Sequence, residues 1–409
     1  MRYSFPQITH INDVLPAIEG RDEFIVVQKD GYQIVNYAVM MEDSFPPVEL
    51  DYCDLDQLLP GAGQVPVYPN GDAYNAALRR ECRGLVFDLE GNLISRRFHK
   101  FFNVNERDET RFEKVDFTKP HVVLEKLDGS MVSPCYVKGH IRWMTKMGIT
   151  DTSMEAEAFV ATHPVYTEFA DTMLKQGCTP IFEWCSNKNR IVLAYPEDKL
   201  VLTAIRDNVT GKYVPHELDA RNGWGIPVVQ SFAYDSANIL DVVREQEGIE
   251  GVVIRFADGH MLKVKADWYV LRHKSKDAIT REKNVLDYIV NERVDDVLPF
   301  LQAEDQHRLL QFQDKFWTGV NKMVDLYEEY IAHNLRHVDR KQWAMGDFVE
   351  MRKQDQHVGT IVFGWYDGRD VKETLLNVIR KNIGTQARIN ENRYLWGGTG
   401  WHYSFDGDA

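Results

Sequence analysis

Lys126 sits in Glu125-Lys126-Leu127-Asp128-Gly129-Ser130, after the apolar run Val122-Val123-Leu124 and before Met131-Val132. The pattern puts Lys126 at the end of a strand, on a turn made by Asp128-Gly129. A lysine held there, at the mouth of a pocket, is a nucleophile able to make a covalent bond. Alone, the hexapeptide reads as a hairpin turn; its ordered company changes that. Upstream, Glu81-Cys82-Arg83-Gly84 puts an arginine beside a glycine, and Arg97-Phe98-His99-Lys100-Phe101-Phe102-Asn103 puts Lys100 among aromatic rings. Downstream, Phe182-Glu183-Trp184 ends a strand and is followed by Asn189-Arg190-Ile191. Finally Glu250-Gly251 opens the run Val252-Val253-Ile254-Arg255, and Leu262-Lys263-Val264-Lys265 follows.

These residue types suit nucleotidyl transfer. Lys263 and Lys265 are two apart on a strand, so both side chains point to one face. That face is exposed or, if Val264 and the apolar run before it mark a strand inside a sheet, an inner one, where two lysines need an anion and a polyphosphate supplies it. Glu183 and Glu250 stand at strand ends; they are solvated ends or else carboxylates for a ribose hydroxyl or a divalent cation. Glycines 84, 129 and 251 either serve turns or let backbone approach closely. An ordinary lysine has a pKa of about 10.4. The cations Arg83, Lys100, Lys263 and Lys265, with a bound metal ion, are expected to lower that of Lys126 and to stabilise phosphate charge during in-line displacement.

The elements that must position these groups come next. Strands are expected at 24–28 and 32–39 through Lys29-Asp30-Gly31, and then at 84–89, 93–98, 121–124, 131–137 and 141–146. Further strands follow at 179–184, 191–194, 200–206, 251–256 and 261–265. Residues 51–75, rich in Pro, Gly and Asp, read as a loop, and a helix is expected at 154–175. Beyond residue 275 the character changes. Leu309, Phe316, Val320, Met323, Tyr327 and Ile331 recur at helical spacing, flanked by helices at 279–301 and 370–382.

Composition sets the bounds. The chain has 409 residues, enough for two or three domains, with 44% hydrophobic and 27% charged residues. No apolar run approaches the ~18 residues that span a bilayer, and the N-terminus lacks a signal-peptide core. Five scattered cysteines (53, 82, 135, 178 and 185) read as reduced thiols of a cytosolic protein. The net charge of −14 argues against a nonspecific polyanion binder, but leaves room for a local basic groove.

The order of motifs resembles the covalent nucleotidyltransferases, namely ATP-dependent ligases and mRNA capping enzymes. Glu81-Cys82-Arg83-Gly84, Lys100-Phe101-Phe102-Asn103, Asn189 to Tyr195 and Lys265-Ala266-Asp267-Trp268-Tyr269 narrow the resemblance to the bacteriophage RNA ligase 1 family of the T-even type. It covers roughly residues 32–270 and loosens beyond. It implies an α+β fold: a nucleotidyltransferase (ATP-grasp-like ligase) domain of antiparallel sheets at 1–275. An all-helical domain for RNA or tRNA specificity follows at 276–409, with no OB barrel. It implies an ATP-dependent RNA ligase that joins 5′-phosphate and 3′-hydroxyl ends through lysyl-AMP on Lys126 and an adenylylated RNA. In that reading Tyr37, Arg83, Lys100, Lys146, Lys263 and Lys265 contact ATP, Glu183 binds its ribose, and Glu250 is catalytic and metal-associated. Tyr269 is needed for ligation and Asp295 is tied to Mg²⁺. The implied role is repair of nicked tRNA anticodon loops in the cytoplasm of an infected bacterium, beside an end-healing kinase/phosphatase and away from any membrane.

Two departures from the family pattern are the long loop at 43–75 and the tail Trp396-Gly397-Gly398-Thr399-Gly400-Trp401, expected to dock on the fold. A DNA ligase or capping enzyme would carry an OB barrel after the paired lysines, where a helical stripe stands instead. An RNA-binding protein without catalysis would have no need of the nucleophile.

Overall fold

The computed structural model describes residues 4–54, 64–188, 191–214 and 223–403. The chain divides into two compact units, Met1–Val270 and Leu271–Ala409. The division falls within the helix Asp267–Thr280.

The first unit is built from three principal sheets. One, with strand order Phe24–Lys29, Tyr32–Tyr37, Leu85–Phe87 and Leu93–Ser95, is antiparallel throughout. A second runs His140–Met144, Ser130–Val137, Cys178–Cys185, Lys199–Asp207, Tyr213–Val214. The third runs Ser231–Phe232, His121–Glu125, Gly251–Phe256, Met261–Lys265, Phe102–Asn103, and its last pairing is parallel. None of these sheets closes into a barrel among the described residues. Alternation explains the burial of the third sheet. Val252, Ile254, Leu262 and Val264 pack into one apolar cluster, while Val253, Lys263 and Lys265 face a cavity on the other side.

Several expectations need correction. Residues 51–75 are not one loop: Asp51–Asp54 pairs with Gln64–Val67 as a hairpin, and a helix starts at Gly71, where the Asn70 side chain accepts from Ala73 N–H. The helix expected at 154–175 is two, Asp151–Ala161 and Pro164–Lys175. Pro164 disfavours helical backbone at His163 and starts the second helix at its first position. Residues 191–194 form no strand, because a buried carboxylate takes their amides instead: Asp128 Oδ2 accepts from Val192 N (2.7 Å) and Leu193 N (2.6 Å). Asn189 and Arg190 lie outside the described residues.

The second unit is helical among the described residues. Its long helix, Ala303–Asn334, buries Leu309, Phe316, Val320, Tyr327 and Ile331 along the expected stripe. The helix Val371–Asn382 lies where expected. The one expected at 279–301 is Glu282–Val290 followed by short 3₁₀ turns, after Glu292 takes a positive φ of 54°. The tail docks: Trp396 and Trp401 are buried, and Trp401 Nε1 donates to Ile279 O at 2.7 Å. No described helix is long and apolar enough to cross a membrane.

Candidate active site

Lys126 is not on a hairpin. The strand before it, His121–Glu125, belongs to the third sheet, and the strand after it, Ser130–Val137, belongs to the second. The turn therefore carries the chain from one sheet to the other and brings Lys126 into the cleft between them. Gly129 makes this crossing possible: a Cβ there would lie 2.5 Å from Trp184 O and 3.0 Å from Glu183 Cγ. The glycine permits close approach of two protein segments. Asp128 then pins the turn. Its side chain holds the 192–193 amides, its Oδ1 accepts from Tyr269 Oη at 2.7 Å, and its own N–H donates to Tyr195 Oη at 2.9 Å.

The cleft holds a cavity of about 320 Å³. Seven of the residues singled out from sequence line it, and two more adjoin them. Tyr37, Arg83, Lys100, Lys126, Glu183, Lys263 and Lys265 are in its wall. Glu250 is buried directly behind, its Oε1 2.7 Å from Lys126 Nζ and 3.1 Å from Lys265 Nζ. Lys146 joins from the side, its ammonium 4.8 Å from the centre of the Tyr37 ring. Lys100 lies over Phe102 at 5.0 Å and over Tyr37 at 5.5 Å, and Lys263 over Phe101 at 5.3 Å. A wider trough of about 770 Å³ shares Arg255 with this cavity but contains none of the predicted residues.

Two residues stand elsewhere. Tyr269 is buried behind the turn, its phenol engaged with Asp128 and its ring among Val192 and Ala266. It supports the nucleophile's turn and is absent from the cavity wall. Asp295 is an exposed residue on the short turn Val294–Asp296 of the second unit.

The electrostatics differ from the expectation in one respect. The group against the Lys126 amine is the carboxylate of Glu250, at ion-pair distance. The crowd of cations acts on Lys263: burial, then Lys100, Lys126 and Arg83, bring its pKa down from 10.5 to about 7. Burial, reinforced by Glu250 and opposed by Lys126, raises Glu183 to about 7. Burial pushes the Tyr37 phenol up, but Arg83, Lys100 and Lys146 together outweigh it, so its pKa lies below the ordinary value.

The cavity fits a polyphosphate ester: a nucleophilic amine, a converging set of cations, aromatic walls and two carboxylates. It fits a metal ion only in part. Among the described residues no three His, Cys, Asp or Glu side chains come together to hold one. That donor set suits a hard cation that takes most of its ligands from phosphate and water.

Sequence reasoning missed three contributors. Asp128 was read only as a turn former. Glu81 is fully buried, pairing with Arg96 Nε at 3.0 Å and Arg206 Nη2 at 2.8 Å. Arg97 is buried between them and Gly84. The signal for Glu81 was its place in the motif of Arg83, and that for Arg97 its place at the head of the motif of Lys100.

Residues 81–269 match the model of a protein family described as RNA ligase. A Thermovibrio ammonificans protein provisionally named an RNA ligase is 29% identical over 292 residues, covering 66% of this chain and 75% of that one. RNA ligase 1 of bacteriophage TS2126 is 23% identical over 257 residues, covering 58% of this chain and 62% of that protein. Among solved structures, an archaeal ATP-dependent RNA ligase (form 2) aligns over 83% of this chain and 86% of its own, with a TM-score of 0.41 and 16% identity.

Proposed function

We propose that the chain, whose residues 81–269 match the RNA ligase family, is an ATP-dependent RNA ligase working through a lysyl-AMP on Lys126. The observation that carries this reading is the Lys126 amine in the cavity wall, 2.7 Å from a buried carboxylate and ringed by cations. In the first step the Lys126 ammonium passes a proton to Glu250 Oε1. The amine attacks the α-phosphorus of ATP, the bond to the β-bridging oxygen breaks, and pyrophosphate leaves with the electron pair. The nitrogen's second proton passes to solvent as the phosphoramidate forms. Arg83, Lys100 and Lys263 offset the charge gathering on the pyrophosphate. Glu183, with a pKa near 7, offers the ribose hydroxyls a hydrogen-bonding carboxyl.

An RNA 5′-phosphate oxygen then attacks the same phosphorus, the N–P bond breaks, and a proton returns to Lys126. An RNA 3′-hydroxyl finally attacks the activated 5′-phosphate and AMP leaves. Mg²⁺, when bound, would supply charge neutralisation to the phosphates, and Glu250 and Glu183 are the cavity carboxylates that would hold it. The biological reading is sealing of nicked tRNA in the cytoplasm of an infected bacterium, after a kinase/phosphatase has produced 5′-phosphate and 3′-hydroxyl ends. The helical unit supplies the RNA specificity.

The test is incubation with α-labelled ATP and Mg²⁺ followed by a denaturing gel, after pyrophosphate has stripped any preformed adenylate. A labelled protein band that is absent from Lys126→Ala is expected. Absence of label from the unaltered chain with either ATP or GTP would overturn the mechanism.

A further inference from the structure

Arg96, Arg97 and Arg206 are almost wholly buried in the first unit, and Glu81 is a carboxylate that reaches two of them. Arg96 and Arg206 share Glu81. Arg97, 1% exposed, has no ion-pair partner among the described residues. Its Nη1 donates to the Gly84 carbonyl, while its Nε and Nη2 find no hydrogen-bond acceptor among those residues. An unpaired guanidinium in a protein interior is costly, and a neutral side chain would serve packing better. Its place accounts for it. Gly84, at φ +83°, has no room for a Cβ: Lys146 Cα would be 2.8 Å away and Arg97 Nη1 3.0 Å. Arg97 thus lies directly behind the turn that presents Arg83 to the cavity.

We propose that Arg97 is a positioning residue for the nucleotide: its unpaired guanidinium fixes the Arg83–Gly84 turn through the Gly84 carbonyl and adds a permanent positive charge behind the phosphate-binding wall. The proposal rests on the reading of the cavity as an ATP site. Burial lowers the pKa of Arg97 only to about 10, so it stays charged at neutral pH. The charge is shielded from water and needs no reorganisation when the ligand arrives.

The experiment compares binding of α,β-methylene ATP, AMP and adenosine, none of which can adenylylate the lysine, to the unaltered chain and to Arg97→Gln. Glutamine keeps a donor for the Gly84 carbonyl and removes the charge. The ATP analogue is expected to weaken about tenfold, the size of a charge acting across about 10 Å at an effective dielectric of about 20. AMP should weaken less, adenosine not at all, and the melting temperature should hold or rise. Equal weakening of all three ligands, or of none, would overturn the proposal. Should Arg97→Gln fail to fold, Cys135→Asp keeps Arg97 and sets a counter-charge beside it; the same graded loss is then expected, and an even one refutes it. If the unaltered chain itself binds no ATP analogue, it is the nucleotide reading that fails.

Discussion

Lys263 links nucleotide binding to pH. In the free cavity its pKa is about 7, because it is buried and faces Lys100, Lys126 and Arg83. At pH 8 it therefore carries on average only about 0.1 of a proton. A polyphosphate beside it replaces repulsion by attraction and restores the ammonium. Binding at pH 8 should then draw roughly 0.9 proton from solution, and affinity should fall by up to about tenfold per pH unit above 7. At that pH the ligand's own phosphates are fully ionised, so protons can only be taken up. The measurement is titration calorimetry with α,β-methylene ATP in two buffers of different ionisation enthalpy. The difference in observed heat gives the protons taken up. Lys263→Arg keeps the charge at every pH, so it should bind without that uptake, which also separates Lys263 from Glu183. Equal heats in both buffers, or undiminished uptake in Lys263→Arg, would refute the reasoning. The sign for the fold follows from the same shift. Between pH 7 and 10.5 the unfolded chain holds a proton that the folded chain has released, so this site makes stability rise with pH across that window.

Tyr269→Phe removes the 2.7 Å hydrogen bond to Asp128 and leaves a buried carboxylate oxygen short of a donor. It should slow lysine adenylylation while leaving the affinity for α,β-methylene ATP within about twofold, at a stability cost of about 1–3 kcal/mol. An unchanged single-turnover rate would show that the tyrosine does not hold the turn. Glu81→Gln strips Arg96 and Arg206 of their only shared carboxylate. Denaturant unfolding should register a loss of about 3–5 kcal/mol, and a loss under 1 kcal/mol would mean the cluster is not held by that charge.

Much of the site was legible because its chemistry is carried by residue type and short spacing. Lys263 and Lys265 follow the two-residue period of a strand, and both reach the cavity. The apolar runs around 122–124 and 251–256 marked strands that do pair with each other. The 191–194 segment misled for a physical reason: its apolar residues resemble a strand, but its amides are claimed by a side chain distant in sequence. The 154–175 segment misled because Pro164 within it ends one helix and starts another.

The sequence by itself determined which groups were available: an amine, a set of cations, two glutamates and the strands to carry them. Local propensity and alternation act over a few residues, and those can be read directly. Tertiary structure alone decided that the Lys126 turn crosses between two sheets, that Glu250 rests 2.7 Å from the amine, and that Lys263 bears the repulsion of the cations around it. Such outcomes depend on distance and on exclusion of water between segments far apart in the chain. Neither quantity exists until the sheets have closed around the cleft.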